Sequence, residues 1–344
     1  MRAAVVRDFN QDLSLETVDD PSCPDNGVVL KVDACGVCRS DYHGWTGGHP
    51  KVGDGSIMGH EYCGTVVEAG SRAKYRVGDR LIAPFILGCG DCPACATGAS
   101  NTCEASIVPG FGTPGAYAEY VAVPFDHNLV HLPESLSPAL AAGLGCRVTT
   151  AWHALTDRAG VQAGEWVAVH GTGGIGLSAL LLAKMLGARV VVVDIVDEKL
   201  THALSLGADA AVNAATTNAA EAIRDITGGG AQVSIEALGI AQTTNASVEC
   251  LATLGRHVHV GMPSGDGMMT INMRAIYAKQ LAFYGTRGMP SWKYPKLLDM
   301  IERGDVDLAP MLDRTIGLSQ ASAELRAMSG PTPPGTAVIT DFTA

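Results

Sequence analysis

Two patterns of apolar spacing divide the chain. Up to about residue 145, apolar and polar positions alternate in short runs closed by glycine or proline, at 27–33, 64–70, 79–84 and 117–124. A period of two marks half-buried strands, so this part predicts a β-rich, barrel-like unit. From about residue 150 the runs become continuously apolar and are separated by helix-length stretches. Trp166-Val-Ala-Val-His170 and Arg189-Val-Val-Val-Val-Asp194 read as buried strands, with further strands at 210–213, 232–237, 256–261 and 280–285. The segments 175–186, 197–206, 218–227 and 242–253 read as the helices between them. Such alternation predicts βαβ units: a parallel sheet with helices on both faces. A helix at 294–303 and a strand at 336–340 are expected to rejoin the first unit.

The most apolar window, 166–183, approaches the length of a membrane span. Gly171, Gly173, Gly174 and Gly176 break it, so it reads better as strand, turn and helix. Gly171-Thr-Gly-Gly-Ile-Gly176 is a G-x-G-x-x-G turn. There the first glycine allows the bend, the second admits a pyrophosphate, and the third lets helix and strand pack closely. The helix N-terminus adds positive partial charge and free N–H groups. In a chain with 41 glycines the motif alone says little, and a purely structural turn beside a solvated aspartate is the competing reading. Asp194 gives the motif its meaning, because it ends the next strand about twenty residues on. Its carboxylate suits the hydroxyls of an adenosine ribose and would repel a 2′-phosphate. Ile195 and Val196 supply no arginine for that phosphate, which favours NAD over NADP. Gly171, Gly173, Gly174, Ile175, Gly176, Asp194 and Lys199 form the expected cofactor set.

Composition narrows the class. Apolar residues make up 47% and charged residues 17%, which is a globular balance, and 344 residues suffice for two domains. The net charge of −11 repels phosphate backbones, so no nucleic-acid partner is expected. Arg7 and Asp8 interrupt the apolar start, so no secretory segment is read there. Ten cysteines without an export signal point to metal ligation in a reducing cytoplasm rather than to disulfides.

Two groups of metal-ligand type stand out. Cys89, Cys92, Cys95 and Cys103 form a C-x2-C-x2-C-x7-C row that can surround one tetrahedral ion, usually Zn²⁺. Cys38, His60, Glu61 and Cys146 form a second, mixed constellation. Cys38 and His60 are read in separate turns, with Cys146 at the domain junction. A metal held by Cys38, His60 and Cys146 would sit in the cleft and keep a fourth position for a substrate oxygen. A closed four-sulfur site beside an open mixed site suggests one structural zinc and one that does chemistry.

In these stretches the chain resembles the zinc-dependent medium-chain alcohol dehydrogenase family. The resemblance rests on Gly36-Val-Cys-Arg-Ser-Asp-Tyr-His43, Gly59-His-Glu61, the cysteine row, Gly145-Cys146 and the glycine turn, in order along the chain. The two-cysteine, one-histidine ligand set is the one already known for alcohol dehydrogenase. The resemblance implies an α/β fold, a Rossmann doubly wound parallel sheet of order 3-2-1-4-5-6 inserted in a GroES-like β-rich catalytic domain. The expected boundaries are 1–147 for the catalytic domain, 148–285 for the Rossmann domain and 286–344 for the return. It implies two zinc ions, NAD, a small alcohol or carbonyl substrate, and a homodimer or homotetramer. Ser40 would hydrogen-bond the alcohol, His43 would end a proton relay, and Arg39 would pair with the pyrophosphate. Asp41 would orient His60, and Glu61 would stand behind the zinc. The family often carries a basic residue near the terminal strand, whereas Gly335-Thr336-Ala337 has none. Cys146, where polyol-oxidising relatives commonly have glutamate, favours simple alcohols.

Other residues carry plainer readings. Cys23, Cys35, Cys63 and Cys250 are expected as packed thiols, and His170, His257 and His259 as structural histidines. His49 is read as a solvated loop residue, and Trp45 as either pocket wall or loop packing. A polyol, sugar or thiol-adduct dehydrogenase is the alternative enzyme. A catalytically silent zinc and dinucleotide binder is the non-enzymatic alternative, disfavoured because it would not need Ser40, His43 and Glu61.

Overall fold

The computed structural model describes residues 1–263, 265–330 and 335–343. The chain divides into two compact units. One comprises Met1–Cys146, Gly288–Gly304 and Met311–Ala344, and the other Arg147–Arg287 and Asp305–Pro310.

In the first unit, strands Leu312–Gly317, Thr336–Asp341, Val28–Gly36, Glu61–Ala69, Arg80–Ile82 and Val130–His131 lie side by side in that order. Tyr120–Val123 pairs with Val28–Gly36 off this path. The apolar residues of the alternating runs explain the arrangement. Leu30, Val32, Tyr62, Val66, Leu81 and Val121 face one core, while Lys31 between them is exposed. This is the GroES-like unit expected from the alternation.

In the second unit six parallel strands follow the spatial order 3-2-1-4-5-6, counted from Trp166–His170. Trp166–His170 is buried along its whole length, as a central strand covered on both faces must be. Asn218 caps the helix Ala219–Thr227 by accepting from the N–H groups of Ala220 and Glu221, and Gly228 ends it in a left-handed conformation. The helix predicted over 242–253 stops at Glu249. Residues after it join the strand Leu251–His259, which pairs in parallel with Ala231–Glu236. Ladder pairing overrides local helical spacing there. The sequence reading also missed the helices Arg39–Trp45, Met273–Lys279 and Ala321–Ala327 and the strand Leu312–Gly317. No helix among the described residues is long and apolar enough to cross a membrane.

Candidate active site

Cys38 does not lie in a simple turn. It is the N-cap of the helix Arg39–Trp45, and its backbone N–H donates to Asp41 Oδ2 at 3.0 Å. The other oxygen of Asp41 accepts from Gly59 N–H at 3.3 Å and meets His60 Nδ1 at 3.0 Å. A single buried carboxylate thus ties the backbone of one thiol to the ring of the imidazole. Gly59 has φ +96°, and a Cβ there would fall 2.6 Å from the Tyr117 ring. Only glycine lets the chain turn at that point and deliver His60 and Glu61 to the start of the strand Glu61–Ala69. Gly145 lies against the start of the strand Glu61–Ala69, where a Cβ would make an ordinary contact 3.4 Å from Glu61 Cα, and Cys146 follows directly. Ligand atoms of Cys38, His60, Glu61 and Cys146 all lie within 4.8 Å of one another.

The chemistry of these atoms fits a cation. His60 Nε2 is buried and has no hydrogen-bond partner among the described residues, an arrangement that costs energy unless something binds there. Burial opposes charge on the ring, yet the charge and hydrogen bond of Asp41 win and hold its pKa well above the ordinary histidine range. Asp41→Asn preserves shape but removes the charge and one acceptor. It is expected to lower metal affinity by roughly 10–100-fold, measured by competition with a chromogenic chelator.

The cysteine row gathers as its spacing suggests. Cys103 Sγ lies 3.5 Å from Cys89 Sγ and 3.7 Å from Cys92 Sγ, and Cys95 Sγ is within 4.8 Å of the others. A tetrahedron with metal–sulfur bonds of about 2.3 Å has edges of about 3.8 Å, whereas a disulfide would need about 2.05 Å. Backbone N–H groups of Asp91 and Cys92 pull the Cys89 thiol down to about 7, so a thiolate forms readily there.

Around the mixed site, Phe85 and Phe111 stand edge-on to His60 at 5.8 and 5.3 Å between ring centroids. His49, expected as a solvated loop residue, instead packs on Phe111 at 4.6 Å. Trp45 is 4% exposed, donates to the Gln11 carbonyl at 2.6 Å and belongs to the core. It is loop packing. Ser40 and His43 lie on the helix Arg39–Trp45 and are half-buried. Burial, then the Arg39 charge, hold the His43 pKa below its ordinary value. Arg39 stacks over Tyr42 and donates to the Met328 carbonyl. Cys35, Cys63 and Cys250 are buried, but Cys23 is only partly so. Burial lowers His170 to about 4 and His257 to about 3, which suits neutral structural rings.

In the second unit the glycine turn joins Trp166–His170 to the helix Gly174–Met185. A Cβ on Gly176 would fall 1.8 Å from the Gly171 carbonyl oxygen, so helix and strand close only on glycine. Asp194 Oδ2 accepts from Thr172 N–H at 2.9 Å and its hydroxyl at 2.7 Å. Oδ1 accepts from Ile195 N–H at 2.8 Å, and more weakly from Val196 N–H at 3.3 Å. Burial opposes the ionised form, but the Thr172 and Ile195 hydrogen bonds and the Lys199 charge hold the Asp194 pKa below the carboxylate norm. Asp194 therefore braces the turn, a duty the sequence reading did not foresee.

A mixed thiol–imidazole centre in a GroES-like unit and a glycine turn in a 3-2-1-4-5-6 sheet define a metal-dependent dehydrogenase class. Comparisons agree. Residues 24–134 match the alcohol dehydrogenase GroES-like domain, and residues 174–303 match the zinc-binding dehydrogenase domain. An alcohol dehydrogenase of Geobacillus stearothermophilus is 37% identical over 269 residues, which is 77% of this chain and 78% of that protein. The crystal structure of an NAD-dependent alcohol dehydrogenase superposes with a TM-score of 0.90 at 27% identity, covering 99% of this chain and 100% of the other. A zinc-binding dehydrogenase from Sinorhizobium meliloti 1021 bound to NADP gives 0.88 at 29% identity, covering 98% of each chain. The chain belongs to the zinc-dependent medium-chain alcohol dehydrogenase family.

Proposed function

We propose that this protein is an NAD-dependent zinc alcohol dehydrogenase that interconverts a primary or secondary alcohol and its aldehyde or ketone. The observation that carries the reading is the convergence of Cys38, His60, Glu61 and Cys146 beside the unsatisfied Nε2 of His60. Zinc held by those three residues supplies Lewis acidity to an alcohol oxygen, and NAD supplies the hydride acceptor. Cys89, Cys92, Cys95 and Cys103 hold a second, structural zinc.

The reaction releases one proton for each hydride transferred. Ser40 Oγ, both donor and acceptor, takes the alcohol proton while passing on its own. His43 delivers a proton to solvent. Its depressed pKa keeps the ring neutral at pH 7, so it can accept. Oxidation should hold its rate as pH falls through the ordinary histidine range and decline only below it. His43→Gln is expected to slow oxidation about 10-fold or more near pH 7 and to recover toward alkaline pH, where hydroxide takes the proton. A pH–rate profile identical to that of the unmutated enzyme would remove His43 from the relay.

In this reading the N-terminus of the helix Gly174–Met185 binds the pyrophosphate, Asp194 binds the ribose, and Lys199 adds positive charge beside Asp194. Asp194→Ser is expected to narrow the preference for NAD over NADP by about 10-fold or more, read as the ratio of kcat/KM values. An unchanged ratio would dismiss Asp194 as the selector. The reading as a whole is tested by following absorbance of the reduced cofactor with a panel of alcohols, polyols and carbonyls, offering NAD and NADP separately. Activity confined to polyols would favour the alternative substrate class, and no activity with any member would favour a silent binder.

Ten cysteines with no disulfide among the described residues, six of them in the two ligand groups, suit a reducing cytoplasm. Strand Ala282–Gly285 ends its sheet, and Phe283 on it is 39% exposed. On the helix Met273–Lys279, Tyr277 and Met273 are 84% and 63% exposed. An open edge with exposed apolar side chains calls for cover, and a second copy of the chain provides it in a homodimer or homotetramer. Sedimentation as a monomer at micromolar concentration would refute this.

A further inference from the structure

The segment Gly288–Gly304, which returns to the first unit after the parallel sheet, reaches the mixed centre at two points. At one, a Cβ on Gly288 would fall 3.1 Å from Phe85 Cε1 and 3.1 Å from Ile86 Cδ1. Phe85 and Ile86 form one buried cluster with Cys38 and Cys146. At the other, Tyr294 opens the helix Tyr294–Glu302, and its hydroxyl donates to the Gly145 carbonyl at 3.2 Å. Gly145 directly precedes Cys146. Both partners belong to the first unit, although 149 positions separate them.

The helix puts the phenol there. Tyr294, Leu297, Leu298 and Ile301 form its buried face, and Tyr294 is 1% exposed. Packing alone asks only for an apolar ring. The hydroxyl adds a group that needs a partner once it leaves water, and the partner is the carbonyl beside a thiol of the metal-ligand group. A carbonyl oxygen has two lone pairs, so the bond holds whatever else Gly145 meets. Leu144–Val148 is a π-helical turn, an irregularity that recurs at functional sites. Around Gly145, Glu61 Cα, the Ala83 carbonyl oxygen and Tyr62 N lie 3.4–3.8 Å from where a Cβ would stand. Such contacts set how near the turn comes. A hydrogen bond at the carbonyl sets how its peptide plane is turned, and that rigid plane carries the Cα of Cys146.

We propose that Tyr294 is a positioning residue for the mixed centre, whose hydroxyl orients the Gly145–Cys146 peptide and so presents the Cys146 thiolate to the metal. This rests on the zinc reading and adds a residue that the sequence showed only as the start of a helix. Asp41 already ties the backbone of Cys38 and the ring of His60. Tyr294 braces the third ligand from a remote part of the sequence.

The test reads metal retention rather than turnover. The zinc-loaded unmutated protein, Tyr294→Phe and Leu297→Ala are mixed with a chromogenic chelator, and the release of each ion is timed. Cys146→Ala, expected to carry the cysteine-row ion alone, shows which phase belongs to which site. Tyr294→Phe keeps the ring and removes only the hydroxyl. It should release the mixed-site ion about 10-fold faster or more and leave the cysteine-row phase unchanged. It should also shift the visible absorption of cobalt(II) placed in the mixed site, because the ligand geometry changes. Leu297→Ala opens a void in the same buried face without touching a polar contact. It should lower the unfolding midpoint yet leave the cobalt spectrum that of the unmutated protein. If Tyr294→Phe leaves both the release rate and the cobalt spectrum unaltered, or if Leu297→Ala reproduces both changes, Tyr294 is structural and the proposal is overturned alone. If the unmutated protein holds only one ion, the zinc reading fails and takes this proposal with it.

Discussion

With Cys146 replaced by alanine, the protein is expected to keep its fold, carry one zinc instead of two, and lose turnover by on the order of 10³-fold or more. The magnitude follows from Lewis-acid stabilisation worth several kcal/mol, with each 1.4 kcal/mol equal to about tenfold in rate. Folding should survive because Cys146 belongs to a small cluster with Cys38, Phe85 and Ile86 rather than to the main core of the first unit. Alanine leaves only a small void there, costing about 1 kcal/mol. Elemental analysis and circular dichroism on the same sample separate the two effects. One zinc in the unmutated protein, or full activity in Cys146→Ala, would break the assignment of Cys38, His60 and Cys146 as a metal centre.

The opposite pattern is expected for the cysteine row. Cys103→Ser should cost stability first and chemistry second. Binding free energies of structural zinc sites reach roughly 10 kcal/mol or more, so losing one thiolate of four forfeits a large part of that contribution. The segment around these cysteines is short on regular structure, though Asn128 and Trp292 hold it by hydrogen bonds at Gly88 and Gly98. Its helices are only Pro93–Ala96 and Ser100–Thr102, and Asn101 and Cys103 are its main buried anchors. A fall of about 10 °C in the unfolding midpoint is expected, together with a similar fall when the unmutated protein is heated in chelator. A variant melting at the unmutated temperature with no zinc lost would show that the row is not a metal site.

The chain's own pattern told much of this in advance. Continuous valine runs bounded by glycine can only be buried strands, so the parallel sheet was readable from Trp166–His170 and Arg189–Asp194 before any coordinates. The cysteine row was equally plain, because its ligands are near in sequence and spacing alone nearly closes the tetrahedron. Local spacing misled where pairing partners decide. Leu251, read as helical, becomes the start of a strand because it pairs with Ala231. Trp45 and His49 could not be placed from sequence, since packing on Gln11 and Phe111 depends on how distant loops meet.

By itself the sequence determined the fold class, the presence of two thiol-rich ligand groups and the dinucleotide turn, because periodicity, ligand spacing and glycine positions are local properties. Only the tertiary structure decided what those residues touch. It alone set Asp41 between the backbone of Cys38 and the ring of His60, left Nε2 of that ring without a partner, and laid Arg147 on Gly174. The physical reason is range. A helix or strand is chosen by neighbours a few residues away, whereas a carboxylate meeting a ring nineteen residues on, or a cation resting on a turn twenty-seven residues on, exists only after the chain has closed on itself.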